Sequence, residues 1–207
     1  MKLHISFNLS HLDQAVAIAH DVDDFCDAFE IGPVTLMHHG INAITTFRSH
    51  FPQKTLIADC NITEFEKEIV ALMAQAGADW VTALAGAGTN TIHNTCTSAH
   101  NAGKKVMVDF IDVSSAGQIA ADAKAFGVDA LVVHNSVDAN PYALLDRWDM
   151  VKGNTTLPVF MCTNITRENL NELIKLDPAG LIIGRSITLA ENPREEAKYF
   201  YDIIKSR

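Results

Sequence analysis

The stretch from Thr55 to Leu84, TLIADCNITEFEKEIVALMAQAGADWVTAL, decides the architecture. Thr55 to Asp59 is a short apolar run ended by a carboxylate, the pattern of a buried strand. Thr63 precedes Glu66 by three, the spacing of a capping box, and Phe65, Ile69, Leu72, Met73 and Ala76 then fall on one face of a helix. Gly77 stops that helix, and Trp80 to Leu84 reads as the next strand. A helix joining two strands obliges them to run parallel and covers one face of their sheet.

The same unit recurs on both sides of this stretch. Strands are expected at Leu3 to Phe7, Ala28 to Ile31, Val106 to Phe110, Ala130 to His134, Pro158 to Met161 and Leu181 to Ile183. Ser115 stands three before Gln118, a second capping-box spacing. Asn192 and Pro193 open the last helix, with Glu195 and Glu196 in its first turn and Ala197, Phe200, Ile203 and Ile204 on its apolar face. Eight strand–helix units predict an α/β fold, a (β/α)₈ TIM barrel, as a single domain over residues 1–207. An open doubly wound sheet is the competitor, but the GxGxxG fingerprint of such sheets is missing after Phe7.

A net charge of −9 across 207 residues excludes a broad nucleic-acid surface, which needs clustered Lys and Arg to displace counterions. No apolar run approaches the roughly 18 residues of a membrane span. The N-terminus alternates Leu3, Ile5 and Phe7 with His4 and Ser6, unlike a signal peptide. Cys26, Cys60, Cys96 and Cys162 lack CxxC spacing and read as reduced core thiols more readily than as disulfides or metal ligands. The expected location is the cytoplasm, with no nucleic-acid or membrane partner.

Ligands of such barrels meet the loops after the strands, so polar residues at strand ends become the candidates. These are Asn8, Glu30, Asp59, Asn61, Asp109, Asp112, His134, Thr163, Asn164, Gly184 and Arg185. Gly184 to Ser186 suits a phosphate, since glycine lets backbone N–H groups approach oxygen and arginine supplies a forked cation; the plainer reading is a tight turn with a surface arginine. Glu30 and Asp59 would converge at one mouth, which suits Mg²⁺, or else Asn8, Asn61 and backbone amides hold them. His134 would stand over the mouth as a proton carrier, or serve structure alone.

In order and spacing, Phe29-Glu30-Ile31-Gly32, Ala58-Asp59, Ala76 to Thr82, Gly103 to Val106, Val133-His134 and Ile183 to Ile187 resemble the orotidine 5′-monophosphate decarboxylase suprafamily. Within it they are similar to the branch of 3-keto-L-gulonate 6-phosphate decarboxylase and 3-hexulose-6-phosphate synthase. The resemblance implies a homodimer with shared sites, acting on a phosphorylated keto sugar or sugar acid through a Mg²⁺-stabilised enediolate. It assigns Glu30 and Asp59 to the metal, His134 to proton relay, and Gly184 with Arg185 to phosphate.

Departures accompany it. The branch reads Asp-x-Lys-x-x-Asp in strand three, where this chain has Asp59-Cys60-Asn61-Ile62-Thr63-Glu64. A neutral amide at Asn61 donates a hydrogen bond but cannot neutralise developing negative charge. Glu64 replaces the second aspartate, although a first-turn acid is also favoured by the helix dipole alone. Asp109 matches an acid that faces the missing lysine, Asn8 replaces an aspartate, Val137 an arginine, and Thr163-Asn164 a glycine pair. The leading expectation is a carbon–carbon lyase with His134, Asp59, Asn61, Glu64 and Asp109 in catalysis and Asn8, Thr163, Asn164, Gly184 and Arg185 around the substrate. A phosphosugar-binding protein without turnover, and an isomerase or epimerase on the same barrel, are the alternatives.

Overall fold

A computed structural model describes residues 1–135 and 141–206. Eight parallel strands close on themselves: β1 (Lys2–Phe7), β2 (Ala28–Ile31), β3 (Thr55–Ile62), β4 (Trp80–Leu84), β5 (Lys105–Asp109), β6 (Ala130–His134), β7 (Val159–Cys162) and β8 (Gly180–Ile183). Pairing of β8 with β1, through Leu3 opposite Leu181, excludes the open sheet. The main covering helices are α1 (Leu12–Val22), α2 (Pro33–His39), α3 (Ile41–His50), α4 (Glu66–Ala76), α5 (Thr89–Asn101), α6 (Ala116–Asp122) and α7 (Pro141–Lys152). Short α8 (Leu170–Leu173) and α9 (Arg185–Thr188) precede the closing α10 (Pro193–Lys205).

Because side chains alternate along a strand, most strands feed two cores. Leu3, Ile5, Phe7, Phe29 and Ile31 face the helices, where Phe7, Phe29 and Phe47 stack edge to face or tilted. Ala28, Ile57, Met107, Val132, Phe160 and Ile182 point the other way and pack as an apolar plug inside the barrel. A barrel of this size is filled by its own side chains, so whatever stands above the plug lines the mouth.

At the opposite rim an acid immediately before each of three strands fastens the neighbouring one. Asp27, Asp79 and Asp129 accept the N–H groups of Leu3, Leu56 and Val106, and meet Lys2 with Lys205, Arg48 and His100 respectively. Such polar contacts at the bottom of a barrel serve stability.

The last helix starts as its sequence requires, with the Asn192 side chain accepting the Glu195 N–H at 3.1 Å and Pro193 following. Neither expected capping box forms. The chain enters α4 through Phe65 in the left-handed region, φ 53°, so Thr63 stands too early to cap it. Ser115 does precede α6 but makes no capping bond, and Gln118 donates to Asp122 instead. The apolar stripe of α4 also divides: Ala76 is buried and Ile69 and Met73 pack on the core, while Phe65 and Leu72 are exposed. Among the described residues no helix is long and apolar enough to cross a membrane.

Candidate functional site

Two residues beyond the apolar plug, the same strand faces carry Glu30, Asp59, Asp109, His134, Cys162 and Gly184. Parity therefore places the polar set over the plug, at the carboxyl ends of the strands. A cavity of about 460 Å³ opens there. Glu30, Asp59, His134 and Arg185, remote along the chain, all line it. Asn8, Asn61, Thr163, Asn164 and Gly184 complete the expected wall.

Each wall residue has a local cause. β3 carries a register shift against β4 between Ala58 and Ile62, and Asn61 turns there at φ 48°, a conformation asparagine tolerates. Its N–H donates to Thr82 Oγ1 at 2.9 Å, and the Thr82 hydroxyl donates to Asp59 Oδ1 at 2.8 Å, so β4 fixes both β3 residues. The Asn61 amide oxygen is buried with no hydrogen-bond partner among the described residues. Asn8 lies against Gly32, where a Cβ would come within 2.3 Å of its amide, and accepts the Val34 N–H at 3.2 Å. The Asn169 side chain accepts the Thr166 N–H and donates to the Asn164 carbonyl, shaping the loop after β7. Arg185 is exposed at the rim with no partner among the described residues.

The charges are strongly perturbed. Glu30 and Asp59 are 5% and 9% exposed. Burial raises the pKa of each, with Asp59 adding to the effect on Glu30 and Asp109 to that on Asp59. His134 Nδ1 stands 2.8 Å from Asp109 Oδ2, and the second Asp109 oxygen accepts the Ile111 N–H. Burial opposes charge on the imidazole, but the bonds to Asp109 and Cys162 outweigh it and push the pKa up to about 11. Asp109 thus does have a counter-charge in place of the absent lysine, and it is His134. Arg147 Nη1 donates to the His134 carbonyl at 2.7 Å and steadies the strand end.

Three expected residues do not join the cavity. Asp109 lies behind His134, reaching the site through the imidazole. Glu64 is exposed in the loop between β3 and α4, and Asp112 points to solvent with Arg147 Nη2 4.0 Å away. Val137 lies outside the described residues. The strand-end reading missed Ser6, Thr82 and Cys162; Ser6 and Cys162 line the cavity, and Thr82 holds Asp59 beneath it. Their signal was parity, two residues on from His4, Trp80 and Phe160. Cys162 and Cys60 are only partly buried, against the expectation of core thiols, whereas Cys26 and Cys96 are buried and all four thiols are free.

A closed (β/α)₈ barrel with buried carboxylates, a histidine and a rim arginine around one mouth defines a class of small-molecule site on this fold. Residues 1–157 match the model of the orotidine 5′-phosphate decarboxylase / HUMPS family, and the chain belongs to that family. It is 26% identical over 207 residues to the 3-hexulose-6-phosphate synthase of Bacillus subtilis (strain 168), covering 99% of both chains. The crystal structure of 3-hexulose-6-phosphate synthase from Salmonella typhimurium superposes with a TM-score of 0.93 at 28% identity, over 100% of this chain and 99% of that one. A crystal structure of KGPDC from Streptococcus mutans shares the fold, with a TM-score of 0.90, 23% identity, and 99% and 97% of the two chains covered.

Proposed function

We propose that the protein is a carbon–carbon lyase, of aldolase or decarboxylase type, acting on a phosphorylated keto sugar or sugar acid. The observation that carries this reading is the convergence of Glu30, Asp59, His134 and Arg185 on one cavity. The similarity to 3-hexulose-6-phosphate synthases along the full chain supports it.

Arg185, just beyond β8 and without a partner among the described residues, grips the phosphate together with the backbone at Gly184. That leaves the carbonyl end of the substrate over the acids. His134 holds its proton at Nε2, because Nδ1 is engaged by Asp109, and delivers it to the carbon or oxygen that becomes basic as the bond breaks. Asn61 occupies the place of the family lysine and contributes an amide, with Asn8, Thr163 and Asn164 bounding the substrate.

The acid pair fits Mg²⁺: burial raises the cost of ionising both carboxylates, Asp59 adds to that cost for Glu30, and Mg²⁺ takes one or two such oxygens while filling its remaining positions with water and substrate. Among the described residues no group of three or more His, Cys, Asp or Glu that could hold a metal converges. Glu30 and Asp59 would hold the ion, which supplies positive charge against the oxyanion that carbon–carbon cleavage leaves.

We also place the chain in a homodimer. Val34, Met37 and Ile41 on α2 and α3, and Phe65 and Leu72 at α4, are exposed apolar residues, and Glu64 stands beside Phe65. In a dimer with shared sites, Glu64 serves the partner's mouth. Four free thiols suit a reducing compartment, the cytoplasm.

The test is turnover of ribulose 5-phosphate with formaldehyde, and of phosphorylated ketoses and keto acids, with and without Mg²⁺. The expected result is Mg²⁺-dependent reaction abolished in His134→Ala and weakened through KM in Arg185→Ala. Ribulose 5-phosphate binding with no turnover on any substrate would instead establish a binding protein, as the neutral Asn61 allows. Proton exchange with solvent but no loss of carbon would establish an isomerase or epimerase.

A further inference from the structure

Cys162 is the one cysteine of the four that lines the cavity. It stands opposite His134 in the β6–β7 register, and thiol and imidazole each shift the other's protonation. Nδ1 of that ring is engaged by Asp109 at 2.8 Å, which leaves Nε2 for proton exchange with the sulfur. Carboxylate, imidazole and thiol in sequence are the arrangement of an orienting acid, a proton carrier and a nucleophile. In the wall of the same cavity the Asn61 amide oxygen is buried without a hydrogen-bond partner among the described residues.

We infer that Cys162 is an aldehyde-capture site, at which a small aldehyde adds reversibly to the thiol as a hemithioacetal beside the sugar-phosphate pocket. The inference deepens the lyase reading and rests on it for the aldehyde, which that chemistry consumes or releases. The step balances within the site. Sulfur bonds to the carbonyl carbon, the C=O π bond opens, the imidazolium gives its Nε2 proton to the carbonyl oxygen, and the S–H proton passes to the vacated nitrogen. No oxidant or reductant enters, and the histidine ends as it began.

The ionisation of the groups agrees with this order of transfers. His134 carries its proton through neutral pH, and burial pushes the Cys162 thiol up to about 11, so the thiol is protonated until the carbonyl arrives. Capture is then general-acid-assisted instead of thiolate-driven. Cys26 and Cys96 lie in the helix-facing core, and Cys60 stands outside the cavity, so none of them shares this arrangement.

The experiment is a titration of the metal-free full-length protein with ¹³C-formaldehyde, followed by ¹³C NMR at the hemithioacetal methylene, with N-acetylcysteine as the free-thiol reference. The expected result is a signal that half-saturates at lower formaldehyde than the reference, is lost in Cys162→Ala, and weakens in His134→Gln. In the wild-type protein, formaldehyde should also slow alkylation of Cys162 by iodoacetamide, mapped by peptide mass spectrometry, and dilution should restore it. That measurement decides the matter without a variant should Cys162→Ala fold poorly. A signal persisting in Cys162→Ala, saturation no tighter than for N-acetylcysteine, or unprotected Cys162 overturns the inference. Turnover is scored separately: with no adduct it leaves the lyase reading standing, and an adduct on a protein that turns over nothing sinks that reading alone.

Discussion

Replacing Asp109 by asparagine removes the counter-charge of His134 while keeping an oxygen for the Ile111 N–H. Asp109 is 5% exposed, so water cannot take over the lost role. A hydrogen bond to a charged partner contributes about 1.5–3 kcal/mol. At about 1.36 kcal/mol per pKa unit, the imidazole should titrate roughly one to two units lower in Asp109→Asn. The sign of the stability effect follows from linkage. His134 has a folded pKa of about 11 against 6.5 for the free side chain. Its contribution is therefore fully present below about 6.5 and fades as pH climbs toward about 11. The variant should melt below the wild type by about 3–12 °C near pH 6, from roughly 2–4 °C per kcal/mol at this chain length. That gap should narrow toward pH 10. NMR titration of the ring resonances and thermal scans across pH supply the two readouts. An unmoved histidine titration, or a melting gap indifferent to pH, refutes the reasoning.

For Glu30→Gln the sign is opposite. A carboxyl whose folded pKa is raised weakens the native state as pH rises above the ordinary carboxylate range, so this variant should melt a few degrees higher than the wild type at pH 8 in metal-free buffer, and no higher near pH 4. The same variant should lose any thermal shift that Mg²⁺ gives the wild type; a variant less stable at pH 8 without metal would contradict the account of the acid pair. Asn61→Lys returns a cation beside Asp59 and should raise lyase turnover by about 10²- to 10³-fold. Lysine must then hold the left-handed turn at φ 48°, at a cost of about 1–3 kcal/mol, so a lower melting temperature is expected alongside. Asp79→Ala strands the Leu56 N–H and leaves Arg48 to backbone carbonyls alone, and should cost about 1–3 kcal/mol in denaturant unfolding with KM unchanged, since it stands at the rim away from the cavity.

The barrel was written locally. Short apolar runs alternate with helix-spaced segments, and a crossover helix admits only parallel neighbours, so eight parallel repeats follow from pattern, whereas the pairing of β8 with β1 is what closes them. The acids and the histidine were legible for a related reason, because a strand end is a place in the sequence as much as in space. The helix entry at Phe65 was not, since a left-handed residue after a bulge depends on how β3 meets β4. The division of the α4 stripe into buried and exposed residues was equally hidden, because periodicity gives a face but not what covers it. Composition and spacing thus determined the architecture and which residue types crown it. Tertiary structure alone decided that His134 neutralises Asp109, that Thr82 ties Asn61 to Asp59, and that Cys162 joins the imidazole, because contacts between strands depend on register, which no single strand contains.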